Sequence, residues 1–312
     1  MLQLAIAQIA PVWLDRAATI AKMANYLRRA GEAGAQLCVF GEALLPGYPF
    51  WVELTDGARF NAPVQKEIHA HYYQQAIQLS AGHLDPLCTL ARDHRMAIML
   101  GSIERAEDRG GHSLYCSLIY IDPTGTIANV HRKLVPTYEE RLTWAPGDGH
   151  GLRTFPLGDF TLGGLNCWEN WMPLPRAALY ALGEDLHVAL WPGNVRNTEI
   201  LTRFLAREGR SYVVSVSGLM RRSDFPPNSP HLERILAQAP ELLANGGSCV
   251  AAPDGSWLLE PQVGQEDLYL LALDPARVRE ERQNYDPSGH YSRPDVTQLI
   301  VNRDRQRVVR FE

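Results

Sequence analysis

Short, uninterrupted apolar runs recur between amphipathic segments, and this pattern constrains the fold most. Leu37-Cys38-Val39-Phe40, Ala97-Ile98-Met99-Leu100 and His187-Val188-Ala189-Leu190-Trp191 lack the polar alternation of a half-exposed strand. Runs of this kind belong to strands buried on both faces. Leu2 to Ile9 reads as a first strand and Tyr212 to Val216 as a later one. A helix is expected from Arg16 to Ala33, because Ile20, Met23, Ala24, Leu27 and Gly31 recur at helical spacing. Asp15 can cap its start and Gly34 can stop it. Further helices are expected over Gln74 to His94, broken near Pro86, and over Leu174 to Leu182, Glu199 to Arg210 and Leu232 to Ala244. Leu114 to Ile121 and Thr126 to Leu134 form a hairpin about Asp122-Pro123-Thr124-Gly125, a favourable turn sequence. Phe155 to Cys167 turns near Gly158, Cys249 to Leu259 turns at Pro253-Asp254-Gly255, and Leu268 to Leu273 follows. Strands buried on both faces need cover on both. The reading is therefore α/β, with mixed sheets and helices on the outer faces. No linker or shift in composition divides the chain, so residues 1–312 read as a single domain.

With 46% hydrophobic residues among 312, the chain can bury a large core. Its net charge of -5 leaves no basic field for nucleic acid or an anionic membrane. The Arg-rich patch from Arg303 to Arg310 is interrupted by Asp304 and Gln306 and reads as a solvated tail. Cysteines stand at 38, 88, 116, 167 and 249. An odd number without a C-x-x-C pair suggests reduced thiols in a cytoplasm. No targeting segment is visible, and no apolar run approaches the roughly 18 residues of a membrane helix.

Three apolar runs end in reactive side chains. Phe40 leads to Glu42, Val130 leads toward Lys133, and Leu165 leads to Cys167. Each has an ordinary structural reading: a helix cap, a solvated strand edge and a buried thiol. Together they make a chemical set. A free thiol has a pKa of about 8.5 and becomes a strong nucleophile only when its proton is removed. Glu42 would act as the general base, Lys133 would offset negative charge developing on the substrate, and the Trp168 N–H would be a second donor to that charge. The substrate would be an electrophilic carbon bonded to nitrogen or oxygen. A competing arrangement pairs Cys167 with His187 or His131 as base. Cys38, Cys88, Cys116 and Cys249 read as core thiols. His69-x-His71 lacks a third metal ligand, and no G-x-S-x-G elbow occurs.

Four stretches, in order, resemble the nitrilases of the carbon–nitrogen hydrolase superfamily. They are FGEALLPGYP at Phe40 to Pro49, HRKLVPTYEERLTW at His131 to Trp144, NCWENWMP at Asn166 to Pro173 and GHYSRPDV at Gly289 to Val296. The resemblance implies a four-layer αββα sandwich. It implies Glu42 as base, Lys133 as cationic stabiliser, Cys167 as nucleophile and Glu140 as a second acid near the lysine. Glu140 is chosen over Glu139 because it directly precedes Arg141. Tyr48, Tyr138 and Trp168 are expected to line the substrate pocket, with aromatic packing as the alternative. The implied reaction converts a small nitrile to a carboxylic acid and ammonia through a cysteine thioimidate and thioester, with no metal or organic cofactor. An amide appears if the tetrahedral intermediate expels the thiol. The run Trp168-Glu169-Asn170 resembles the nitrilase branch rather than the amidase or carbamoylase branch, and a non-catalytic assembly protein is the remaining alternative. A homodimer or larger homo-oligomer, extending into a spiral, is implied as well. The stretches from about Trp51 to Tyr73 and from Met220 to Asn245 resemble the insertions involved.

Overall fold

In the computed structural model, which describes residues 1–309, the apolar runs become the inner strands of two sheets. The strands are β1 (Leu2–Gln8), β2 (Leu37–Phe40), β3 (Ala97–Arg105), β4 (Leu114–Ile121) and β5 (Ile127–Arg132). There follow β6 (Phe155–Leu157), β7 (Phe160–Asn166), β8 (Leu186–Trp191) and β9 (Tyr212–Ser217). Last come β10 (Leu219–Arg221), β11 (Leu242–Ala251), β12 (Trp257–Val263) and β13 (Asp267–Leu273). The first sheet runs β13-β1-β2-β3-β4-β5. The second runs β10-β11-β9-β8-β7-β6, with β12 paired to β11. Strands β1, β2 and β3 are mutually parallel, as are β7, β8 and β9, while hairpin partners are antiparallel.

The two-residue period of a strand then sorts the core. In β8, Val188 and Leu190 face the first sheet and share one core cluster with Ile6, Val39, Met99 and Leu118. Ala189 and Trp191 face the other way, against Leu201 and Leu205 of the Leu201–Gly209 helix. On the far side, Cys38, Phe40, Ile98 and Leu100 pack beneath the Arg16–Glu32 and Asp85–His94 helices through Met23, Leu27, Leu87 and Ala91. The order helix, sheet, sheet, helix is the αββα sandwich. Among the described residues no helix is long and apolar enough to cross a membrane.

Several expectations need correction. The helix expected over Gln74 to His94 is two helices, Pro63–Gln75 and Asp85–His94. The interruption ends just before Pro86, which lies in the first turn of the second helix, where its missing N–H costs nothing. The helix from Leu232 stops at Gln238, just before Pro240, and Leu242 to Ala251 is strand β11. A helix over Pro275–Asn284 was not anticipated. The basic tail is not simply solvated: Arg305 Nη1 donates to Asp148 Oδ1 at 3.0 Å, and the Arg303 carbonyl meets His150. Arg310 lies outside the described residues. The two insertion-like stretches pack together, Trp51 and Val52 joining Phe225 and Ile235 in one satellite cluster.

Candidate active site

The three strand ends meet. Glu42 follows β2 by two residues, and its N–H donates to the Trp191 carbonyl of the second sheet at 3.1 Å. This backbone bond ties the two sheets at the point where the acid emerges. The segment passes so close to β3 that a Cβ on Gly101 would lie 2.4 Å from the Glu42 Cα. Lys133 directly follows β5, and its N–H donates to the Cys116 carbonyl at 2.7 Å. Cys167 directly follows β7 and opens a short 3-10 turn over Cys167–Trp171. Its φ is +44°, a left-handed conformation that a residue bearing a Cβ seldom adopts. Ala43 and Tyr138, beside the other site segments, share this backbone region at +50° and +44°. Such strain costs about 1–3 kcal/mol per residue and persists only where surrounding contacts enforce it.

Lys133 is the hub. Its Nζ donates to Glu42 Oε1 and to Glu140 Oε2, each at 2.7 Å, and all three side chains are buried. One oxygen of each acid and Cys167 Sγ lie within 4.8 Å of one another. Glu140 also accepts from the Thr137 N–H at 2.6 Å and from the Tyr48 hydroxyl at 3.1 Å. Glu139 is bonded to the Tyr48 hydroxyl at 2.9 Å and not to the lysine. Geometry thus separates the two neighbouring acids that the sequence leaves side by side. Glu42 Oε2 is buried and accepts no hydrogen bond from the described residues.

Burial sets the protonation states. It raises the Glu42 carboxyl to about 7, against the pull of Lys133 and with a push from Glu140. Burial also pushes the Cys167 thiol well above its ordinary value, and the Glu42 charge adds to this while Lys133 opposes it. For Lys133 burial acts against the charge, but the facing Cys167, Glu42 and Glu140 outweigh it and hold the ammonium well above the usual lysine range. The resting arrangement is a neutral thiol, a fixed cation and a carboxyl poised near neutrality.

Two features escaped the sequence. Cys116, expected to be core, directs Sγ to Glu42 Oε1 at 3.2 Å. Glu169 is buried, and accepts from the Leu134 N–H at 2.7 Å and the Asn166 N–H at 2.9 Å. Its oxygens also lie 3.1 and 3.2 Å from His131 Nε2. Glu169 therefore fastens the backbone after the lysine to the backbone before the cysteine. His187 is bonded to Glu184 and Asn170. The nitrogens that His131 and His187 bring into hydrogen bonds are engaged with these groups and not with Cys167, which argues against a cysteine–histidine pair. His69 and His71 also diverge, to Thr143 Oγ1 and the Leu14 carbonyl.

The three aromatics expected at the pocket divide. Tyr48 stands among the acids, and burial pushes its hydroxyl well above the ordinary tyrosine value, so it donates as a neutral group. Tyr138 and Trp168, 82% and 53% exposed, instead share an open cleft of about 590 Å³ with Trp171 and Met172.

The sequence matches the carbon-nitrogen hydrolase family over residues 3–283. It is 36% identical over 308 residues to a nitrilase 2 from an unknown prokaryotic organism, covering 98% of this chain and 94% of that one. It is 34% identical to an aliphatic nitrilase of Sinorhizobium fredii (strain HH103), covering 98% and 97%. Its fold is similar to that of a carbon-nitrogen hydrolase from Helicobacter pylori G27, with a TM-score of 0.69 and 19% identity over 94% of this chain and 96% of that one. The chain belongs to the nitrilases of the carbon–nitrogen hydrolase family.

Proposed function

We propose that this protein hydrolyses organic nitriles to carboxylic acids and ammonia, with Cys167 as nucleophile, Glu42 as general base, Lys133 as cationic stabiliser and Glu140 as the acid that holds the lysine. The observation that carries the assignment is the buried Glu42–Lys133–Glu140 bridge beside the Cys167 thiol. Its nitrilase relatives, at 34 and 36% identity over nearly the full chain, support a nitrile as the substrate.

Glu42 takes the thiol proton as Sγ bonds to the nitrile carbon. One C–N π bond opens, and the nitrogen regains that proton from Glu42, giving a thioimidate. Lys133 and the Trp168 N–H face the charge that develops on the nitrogen. Water then adds, one of its protons passing through Glu42 to the nitrogen. As the tetrahedral intermediate collapses, the new hydroxyl gives its proton through Glu42 to the departing nitrogen. Ammonia leaves and a thioester remains. A second water, again deprotonated by Glu42, releases the acid and restores the thiol. Two waters are consumed for each nitrile, and the protein is unchanged. Proton transfer by a positioned base contributes roughly 10²–10⁴-fold. The fixed Lys133 cation, in a water-poor site, requires no reorganisation as charge forms.

Tyr48 is read as a pocket residue through its bonds to Glu139 and Glu140, and Tyr138 and Trp168 as the outer wall through their shared cleft. We also read residues 1–312 as one domain, the protein as a homodimer or larger homo-oligomer extending into a spiral, and the cytoplasm as its location. Its five free cysteines support the last reading.

The test is to incubate the protein and its Cys167→Ala variant with aliphatic, aromatic and arylacetonitriles and their amides, and to quantify acid, amide and ammonia. Acid and ammonia from nitriles, lost in the variant, are expected. Turnover of amides alone would overturn the nitrile assignment.

A further inference from the structure

Behind the nucleophile lies a buried polar chain that the reaction steps above do not use. Asn170 Nδ2 donates to the Cys167 carbonyl at 2.8 Å and to the Leu165 carbonyl at 3.3 Å. Asn170 Oδ1 lies 2.8 Å from His187 Nε2, and His187 Nδ1 lies 2.9 Å from Glu184 Oε1. Asn170, His187 and Glu184 are all buried. The Asn170 carbonyl is itself held by Arg176 Nη1 at 2.8 Å.

Donor and acceptor matching fixes the direction of this chain. Two carbonyls can be served only by the amide nitrogen, so Oδ1 must be the atom that faces His187. His187 Nε2 must then carry a hydrogen and donate it. Glu184 on the opposite ring nitrogen holds the imidazole in that orientation. Three buried polar residues thus end on two carbonyl oxygens, that of the nucleophile at 2.8 Å and that of Leu165 at 3.3 Å. Glu184 Oε2 has no hydrogen-bond partner among the described residues, so the network is a costly one, and apolar residues would fill the space at lower cost.

The Cys167 carbonyl and the Trp168 N–H are opposite edges of one planar peptide unit. Holding the carbonyl toward Asn170 turns the N–H the other way. Cys167 is left-handed, so this plane sits in a conformation that the backbone would not keep unaided. We propose that Asn170, backed by His187 and Glu184, is a positioning residue that locks the Cys167–Trp168 peptide plane so that the Trp168 N–H meets the charge developing on the substrate. This rests on the reading of Cys167 as the nucleophile. The chain acts on the donor and not on the thiol, and that distinction makes it testable.

Asn170→Asp keeps the shape but places a carboxylate oxygen where the donor stood. Two single-turnover rates are compared in this variant and in the wild type. One is acylation of Cys167 by a nitrile. The other is alkylation of Cys167 by iodoacetamide, which expels iodide and develops no charge for the Trp168 N–H to stabilise. Acylation is expected to fall roughly 10²-fold, the scale of a lost transition-state donor, while alkylation changes by less than about threefold and KM is little altered. His187→Gln retains a side-chain N–H toward Asn170 and should recover most of the acylation rate that His187→Leu loses. If His187→Leu fails to fold, Asn170→Asp and His187→Gln still decide the matter. Parallel loss of acylation and alkylation in Asn170→Asp, or unchanged acylation, would overturn the proposal. So would a His187→Gln protein as slow as Asn170→Asp. A wild type that turns over no nitrile or amide would count against the site reading and this proposal alike. Normal wild-type turnover that Asn170→Asp leaves intact would count against this proposal alone.

Discussion

In the proposed reaction Glu42 carries the pH dependence. Burial raises its carboxyl to about 7, and a base must be unprotonated to accept the Cys167 proton. Activity therefore rises as pH increases through about 7, and the acidic limb of the kcat/KM profile is expected there. The hydrogen bond from Cys116 lowers Glu42. Cys116→Ala removes it, so the limb moves to higher pH, whereas Cys116→Ser keeps a donor and stays near the wild-type profile. Superimposable profiles for Cys116→Ala and wild type would contradict this role. The two adjacent acids give a second comparison. Glu140→Gln removes a charge from the buried Lys133 pair, a change on the scale of about 3–5 kcal/mol, and kcat/KM should fall more than about 10²-fold. Glu139→Gln disturbs only a bond to Tyr48 and should cost less than about tenfold. Equal losses would show that the lysine bridge is not what matters.

At the scale of elements, legibility followed packing. Strand β2 was readable to the residue, and β8 to within one residue, because a strand covered on both faces needs an unbroken apolar run. The Pro63–Gln75 helix was invisible because it buries only Ile68 and Tyr72, too few to make a period. The Leu232 helix was drawn too long because Leu242 and Leu243 continue its apolar pattern. Pro240 was the signal against it. Glu42, Lys133 and Cys167 were legible because each terminates a strand. Cys116 was not, since only the β3–β4 pairing and the closeness of Glu42 to β3 bring it to the acid. That closeness depends on Gly101. A Cβ there would lie 2.4 Å from the Glu42 Cα, so Gly101→Ala must displace the acid from Lys133. Activity is expected to fall at least about tenfold while the far-UV circular dichroism spectrum is retained. Full activity in Gly101→Ala would contradict this account of how Glu42 is placed.

Across the whole molecule, the candidate site exists only while the two sheets are docked. Glu42, Lys133 and Glu140 come from segments that leave the first sheet, and Cys167 leaves the second. Between the sheets lies an apolar core cluster in which Leu118 of β4 stands at Gly164 of β7, beside Val188 of β8. Leu118→Ala should cost about 2–5 kcal/mol of stability, seen as an earlier denaturant midpoint. Activity and tryptophan fluorescence should be lost in one transition. Activity lost well before the fluorescence change would mean that the site can open while the sheets stay together. The central claim is that Cys167 becomes covalently acylated during nitrile hydrolysis. The most direct test is rapid quenching of the reaction, followed by mass spectrometry of the peptide that contains Cys167. An adduct of thioimidate or thioester mass on that residue, forming and decaying at the turnover rate, is the predicted result. Nitrile turnover with no adduct on Cys167, together with an active Cys167→Ala protein, would contradict it.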